Sequence, residues 1–258
     1  AKMARPIQGI MYHGWGSLVE GATHGSYRHT NPDTRDELRR LVQTVVEPLG
    51  PTLMQVPDRP ARVAFLESFA SEMFALKGTY GWNGGWTGDA YLIMHYAQLQ
   101  PQIVYDETIE RDGLDQYQVL VMVDCDVLTA TVAEQVKAFQ ARGGIIIGDE
   151  KLAPAIKPDI LMQSHARPKE ADQARALLLQ RAAQLRTELD PHFRRYGQSD
   201  NPDVITRFRQ WGSTDYLFTI NDLREFGDYV GHHGLVMENG LPSDATVTVN
   251  RPAGYVYD

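Results

Sequence analysis

Between Arg62 and Glu150, short continuous apolar runs alternate with stretches whose apolar residues recur at helical spacing. The runs RVAFLESF, PQIVYDE, YQVLVMVD and GIIIGDE have the length and composition of strands buried on both faces. Two segments between them, DAYLIMHYAQLQ and TATVAEQVKAFQARG, read as helices, which gives strand, helix, strand, strand, helix, strand. This alternation predicts an α/β domain built on a parallel sheet with helices on both faces. In the second helix Thr131-Val-Ala-Glu134 has the pattern of a capping box. Val132, Val136 and Phe139 form its buried stripe, and Gly143 supplies the stop.

The flanks follow other patterns. Pro6 to His13 reads as a short buried strand closed by Gly14-Trp-Gly16, and a polar loop then runs to about Asn31, long enough to suggest function. Asp33 or Thr34 is expected to cap a helix through Glu47, with Leu38, Leu41, Val42 and Val45 on one face and Pro48, Gly50 and Pro51 ending it. Val56-Pro-Asp-Arg-Pro60 reads as a linker. One strand, one loop and one helix cannot bury their own apolar surface. Residue 1 is not Met and Gly254 to Asp258 stops inside a strand-like pattern, so the chain is expected to be part of a longer protein. After the fourth strand, Leu152 to Pro168 is a proline-containing excursion. Lys169 to Tyr196 then reads as a long amphipathic helix, with Ala174, Leu178, Leu185, Leu189 and Phe193 on one side and an interruption near Pro191. Beyond Gly197, DYLFTIND, GLVMEN and ATVTVNR alternate as short strands, the expected start of a β-sandwich-like module. The implied divisions are residues 1–60, 61–212 and 213–258.

Composition narrows the partners. A formal net charge of −8 without a Lys/Arg cluster argues against nucleic acid, whose binding needs a positive patch. No apolar run approaches the roughly 18 residues of a membrane span. Cys125 is the only cysteine, which rules out an internal disulfide and a multi-cysteine metal site and fits a reducing compartment, with the cytoplasm favoured. No G-x-G-x-x-G follows the first strand, so no dinucleotide is expected, and no other cofactor is indicated.

Ligands of open parallel sheets bind beyond the carboxyl ends of the strands. All four strands end there in acids, and Glu67, Asp106, Asp124, Asp149 and Glu150 mark this candidate rim. The rim could hold a hard cation, or its acids could cap the neighbouring helices. The Gly78 to Gly88 stretch offers Tyr80, Trp82 and Trp86 as flat apolar faces for a sugar ring, or alternatively for packing against a neighbouring domain or subunit. Cys125 lacks the tight small-residue turn of a nucleophile elbow, and its flanking carboxylates disfavour a thiolate. His232 and His233 are adjacent in a Gly-flanked turn and in extended chain would point apart, which disfavours a shared metal.

Three stretches, VAFLESFASEMFA, Asp115-Gln-Tyr117-Gln-Val119-Leu-Val-Met122 and AFQARGGIIIGDE, resemble glycoside hydrolase family 42 β-galactosidases and their relatives. In that family a (β/α)8 barrel precedes a flavodoxin-like trimerisation domain related to class I glutamine amidotransferases, and a small β domain follows. Ile10-Met-Tyr-His-Gly-Trp15, the loop after it and the Asp-Thr-Arg helix resemble the eighth strand, loop and helix of the barrel. The resemblance implies sugar-binding roles for Trp15, Glu20 and His24, although Glu20 and His24 are four residues apart where the family usually has three. It also implies a carbohydrate substrate, a homotrimer, and catalytic carboxylates on barrel strands that this chain does not contain, so no catalytic residue is expected here. Two other classes compete with this reading: a stand-alone amidotransferase-like hydrolase using the acidic rim, and a non-catalytic sugar-binding or structural module.

Overall fold

A computed structural model describes residues 4–6, 32–74, 85–230, 235–252 and 254–256, with the side chains of 32–35, 226–230 and 235–239 left aside. The chain divides into two compact units, residues 1–59 with 206–245 and residues 60–205 with 246–258.

The second unit is built on five parallel strands, β1 (Val63–Glu67), β2 (Gln102–Tyr105), β3 (Val119–Met122), β4 (Ile145–Gly148) and β5 (Ile160–Leu161), in the order β2-β1-β3-β4-β5. Successive side chains of a strand point to opposite faces. Val63, Phe65, Val119, Val121, Ile147 and Ile160 therefore enter one core with α4 (Gly85–Tyr96) and α7 (Ala171–Leu189). Ala64, Leu66, Leu120, Met122 and Ile146 enter the other with α5 (Asp106–Asp112) and α6 (Ala130–Ala141). Both faces are thus covered, which is why the strands read as unbroken apolar runs. A short α3 (Phe69–Phe74) follows β1.

Several expectations need correction. Thr129, not Thr131, caps α6: its Oγ1 accepts from Val132 N at 3.3 Å and donates to Glu110 of α5 at 2.9 Å, so the earlier hydroxyl ties two helices together. Val132, Val136 and Phe139 are buried, and Gly143 ends the helix at φ +94°. Gly144 is confined as well, because a Cβ there would stand 2.4 Å from the Phe139 ring. The acidic segment after β2 forms α5, and β5, only two residues long, arises inside the excursion from Leu152 to Pro168. The long helix stops at Leu189, ahead of Pro191, and Phe193 packs beneath it from outside the helix. β6 (Gly197–Ser199) pairs antiparallel with β11 (Val247–Val249).

In the first unit, α1 (Pro32–Leu41) runs through a π-helical turn (Val42–Val46) into α2 (Glu47–Leu53). Pro48 and Pro51 therefore do not end the helix. The wide turn, closed by Glu47 N to Val42 O, resets the hydrogen-bond ladder, and Pro48 falls in the first turn of α2, where no amide is needed. The segment 57–59 runs along β7 (Val204–Trp211), with Arg59 N bonded to Phe208 O at 3.3 Å and Gln210 N to Pro57 O at 3.1 Å. β7 pairs with β8 (Thr214–Asn221), and β9 (Arg224–Val230) pairs antiparallel with β10 (Leu235–Gly240). The strands after residue 197 form separate two-stranded ribbons.

Candidate functional site

The strand order turns back between β1 and β3, so the carboxyl ends of those strands and of β4 bound the crevice in which sheets of this kind place ligands. The rim acids gather there, and each is engaged within the fold. Asp149, directly after β4, is 2 % exposed. Its Oδ2 accepts from Trp86 Nε1 and from Asp124 N, both at 2.8 Å, and its Oδ1 accepts from Lys151 N at 3.1 Å. Asp124 follows β3 in the left-handed region (φ 52°), which aspartate tolerates and which turns its amide toward Asp149. Its carboxylate accepts from Lys151 Nζ at 2.6 Å and from Thr87 Oγ1, in the first turn of α4, at 3.0 Å. Glu150 accepts from Ser164 N at 2.9 Å and from the Ser164 hydroxyl. Glu67 ends β1 half-buried.

Asp106 opens α5 but serves a different helix. Its Oδ2 accepts from Ala70 N at 3.0 Å and Ser68 Oγ at 3.2 Å, capping α3 across the strand boundary, while its buried Oδ1 has no hydrogen bond. Burial raises Asp106 above the ordinary carboxylate range, against the bonds from Ala70 and Ser68. The folded state therefore holds this proton at pH values where the unfolded chain has released it, and stability falls as pH rises from the ordinary carboxylate value to the raised one. Asp106→Asn keeps an acceptor for both donors and removes the buried charge. Compared with wild type at pH 4 and pH 7 by urea unfolding, it is expected to gain relative stability at the higher pH. Asp106→Ala, which loses the cap, should cost about 1 kcal/mol at pH 4 and less at pH 7, because it also removes the buried charge.

Trp86 is 6 % exposed: its indole N–H is committed to Asp149 and its ring meets the edge of His165 at 5.1 Å between centroids. Tyr80 and Trp82 lie outside the described residues, as do Trp15, Glu20, His24, His232 and His233. Cys125 is buried, and burial followed by the charges of Asp149, Asp106, Asp124 and Asp126 pushes its thiol well up. A thiol so placed is no nucleophile near neutral pH. Among the described residues no group of three or more acids, histidines or cysteines is arranged to hold a metal ion. No helix among them is long and apolar enough to cross a membrane.

One group at this edge had no sequence signal. Asp89, on α4 and fully buried, accepts on Oδ1 from Arg167 Nε at 2.8 Å and from the same guanidinium's Nη2, and its Oδ2 lies 3.3 Å from His165 Nε2. Asp89 and Arg167 are 78 positions apart, and the segment that brings Arg167 back is held by β5, which is too short to announce itself.

No family model matches the chain, and no curated protein matches it in sequence. Solved structures do. α-L-Fucosidase isoenzyme 2 from Paenibacillus thiaminolyticus matches at TM-score 0.54 and 12% identity, over 86% of this chain and 46% of its own. The cold-adapted β-galactosidase from Rahnella sp. R3 matches at TM-score 0.52 and 12% identity, over 85% of this chain and 44% of its own. The likeness to a catalytic mutant of a GH42 β-galactosidase from G. stearothermophilus is weaker, at TM-score 0.45 and 14% identity, over 81% of this chain and 43% of its own. The fold resembles part of a glycoside hydrolase. The chain spans less than half the length of these proteins.

Proposed function

We propose that this chain is part of a multidomain glycoside hydrolase of the family 42 type. In this reading residues 1–60 are the last strand-loop-helix unit of a preceding (β/α)8 barrel and its linker. Residues 61–212 are a flavodoxin-like domain related to class I glutamine amidotransferases, and residues 213–258 begin a C-terminal β domain. The observation that carries the proposal is the path shared, over most of this chain and less than half of theirs, with a fucosidase and a β-galactosidase. The strand order 2-1-3-4-5, that of flavodoxin-type sheets, supports the central assignment. Assembly, as a homotrimer, is the role proposed for that domain, with Trp15, Glu20 and His24 contributing to a sugar pocket and Tyr80 and Trp82 to its wall.

The engagement of the rim favours this reading over a stand-alone hydrolase. Asp124, Asp149 and Glu150 each accept from neighbouring amides or side chains, and Cys125 is held as a thiol. Hydrolysis would then come from an acid/base carboxylate and a nucleophilic carboxylate on the barrel. Expressed alone, the chain should leave nitrophenyl galactosides and fucosides intact. The reading frame extended upstream by roughly 200 to 350 residues, the size of a barrel lacking its last unit, should cleave one of them. Turnover by the chain alone, or an upstream frame without alternating strands and helices, would overturn the proposal.

A further inference from the structure

The segment from Met162 to Pro168 is strapped down at four points, two at the carboxyl end of β4 and one each on α7 and α4. Met162 N bonds Gly148 O at 2.8 Å, Ser164 N bonds Glu150 at 2.9 Å, Arg181 of α7 donates to Gln163 O, and Arg167 forks onto Asp89. At its centre sits His165, with only 14 % of its side chain exposed and its ring against the buried Trp86. Both ring nitrogens are buried without a hydrogen bond, and so is Asp89 Oδ2, although His165 Nε2 lies 3.3 Å from it. A buried imidazole aligned with no partner is stable there only while it is uncharged.

The surrounding charges decide what a proton would do. Asp89 faces His165 from α4 and is the nearest carboxylate, but the guanidinium of Arg167 already neutralises it through two donors. Arg167 on the same segment and Arg181 on α7 both repel a second cation. Asp149 is bonded to the Trp86 indole N–H, and Glu150 is taken up by Ser164. One carboxylate would thus face three cations. From this geometry we infer that His165 is an acid-sensitive latch: neutral, it seats the 162–168 segment on the first turns of α4, and protonation loosens that seat and the packing of Trp86.

The titration of the imidazole agrees in direction. Burial first, with Arg181 and Arg167 adding to it, lowers His165 below its ordinary value despite Asp89. The folded state then binds fewer protons than the unfolded chain between the lowered and the ordinary value, so this contribution to stability is present above the ordinary histidine value and fades as pH falls through that window.

Hydrogen exchange of the Asp89, Ala90 and Tyr91 amides, corrected for intrinsic rates, tests the latch in the full chain. Protection is expected to drop severalfold from about pH 7.5 to about pH 5.5 in wild type and to change by less than about twofold in His165→Gln, which cannot gain the charge. Equal pH dependence in the two proteins would overturn the inference. Should the variant fail to fold, the wild-type imidazole resonances decide the matter: titration below the ordinary histidine value supports the latch, and titration at or above it rules the latch out. Glycosidase activity enters neither measurement, so the outcome is independent of the proposed function.

Discussion

Asp149→Ala is expected to lower the stability of the sheet unit by about 3 kcal/mol, and Asp149→Asn by about 2 kcal/mol. One carboxylate accepts from three N–H groups on three segments: the Trp86 indole at the head of α4, the Asp124 amide after β3, and the Lys151 amide after β4. Alanine removes the acceptor of all three, leaving the indole N–H fully buried and the two amides partly so. Asparagine keeps one acceptor oxygen and turns an NH2 group toward donors that need an acceptor, so it repairs at most two of the contacts. Relief of the desolvated charge returns part of the loss, since burial raises Asp149 above the ordinary carboxylate range in the folded state. Urea unfolding followed by near-ultraviolet circular dichroism reads both the free energy and the freed indole. Losses under about 1 kcal/mol for both variants would show that these donors find water instead. Asp106 gives the contrast, because it serves two donors with one oxygen, and asparagine can do the same.

The same contrast explains how much the sequence discloses. Strands β1 to β4 and helix α6 were legible because each is dictated by its own residues: β1, β3 and β4 are buried on both faces, β2 is a short apolar run at the sheet edge with Val104 buried, and the α6 stripe lies on one face of a helix. Elements set by distant contacts were not. β5 exists because Ile160 and Leu161 extend the pairing of β4, with Asp159 accepting from Ile146 N at 2.8 Å, and two residues carry no period. The helix through Pro48 and Pro51 defeats the usual reading of proline because a π turn places the first of them at a helix start. The acids at the strand ends were legible as a row. Their partners, Ala70 N for Asp106 and Trp86 for Asp149, were not, because each comes from a different strand-to-helix connection. The Asp89, His165 and Arg167 group is the extreme case, joined only by folding.

In the first unit the corresponding keystone is Arg209, and Arg209→Leu should cost on the order of 3 kcal/mol. This arginine is fully buried in β7, with its guanidinium 6.0 Å from the Phe218 ring centroid. Its Nη2 donates to the carbonyls of Leu53 and Val56. Leu53 is the last residue of α2, so its carbonyl lacks the helical amide four residues on and accepts from Val56 N at 3.2 Å beside the guanidinium, and the positive charge also stands at the favourable end of the helix dipole. Leucine fills similar space but takes the guanidinium from both carbonyls and leaves that of Leu53 with the Val56 amide, a penalty that the recovered desolvation of the guanidinium offsets only in part. Lysine should fall between the two, because an ammonium keeps the charge without the planar fork. Exchange of the Met54, Gln55 and Val56 amides, whose bonds to Gly50, Thr52 and Leu53 close the end of α2, should speed up by about a hundredfold in Arg209→Leu. A change of less than about threefold would mean that the helix end holds without its cap.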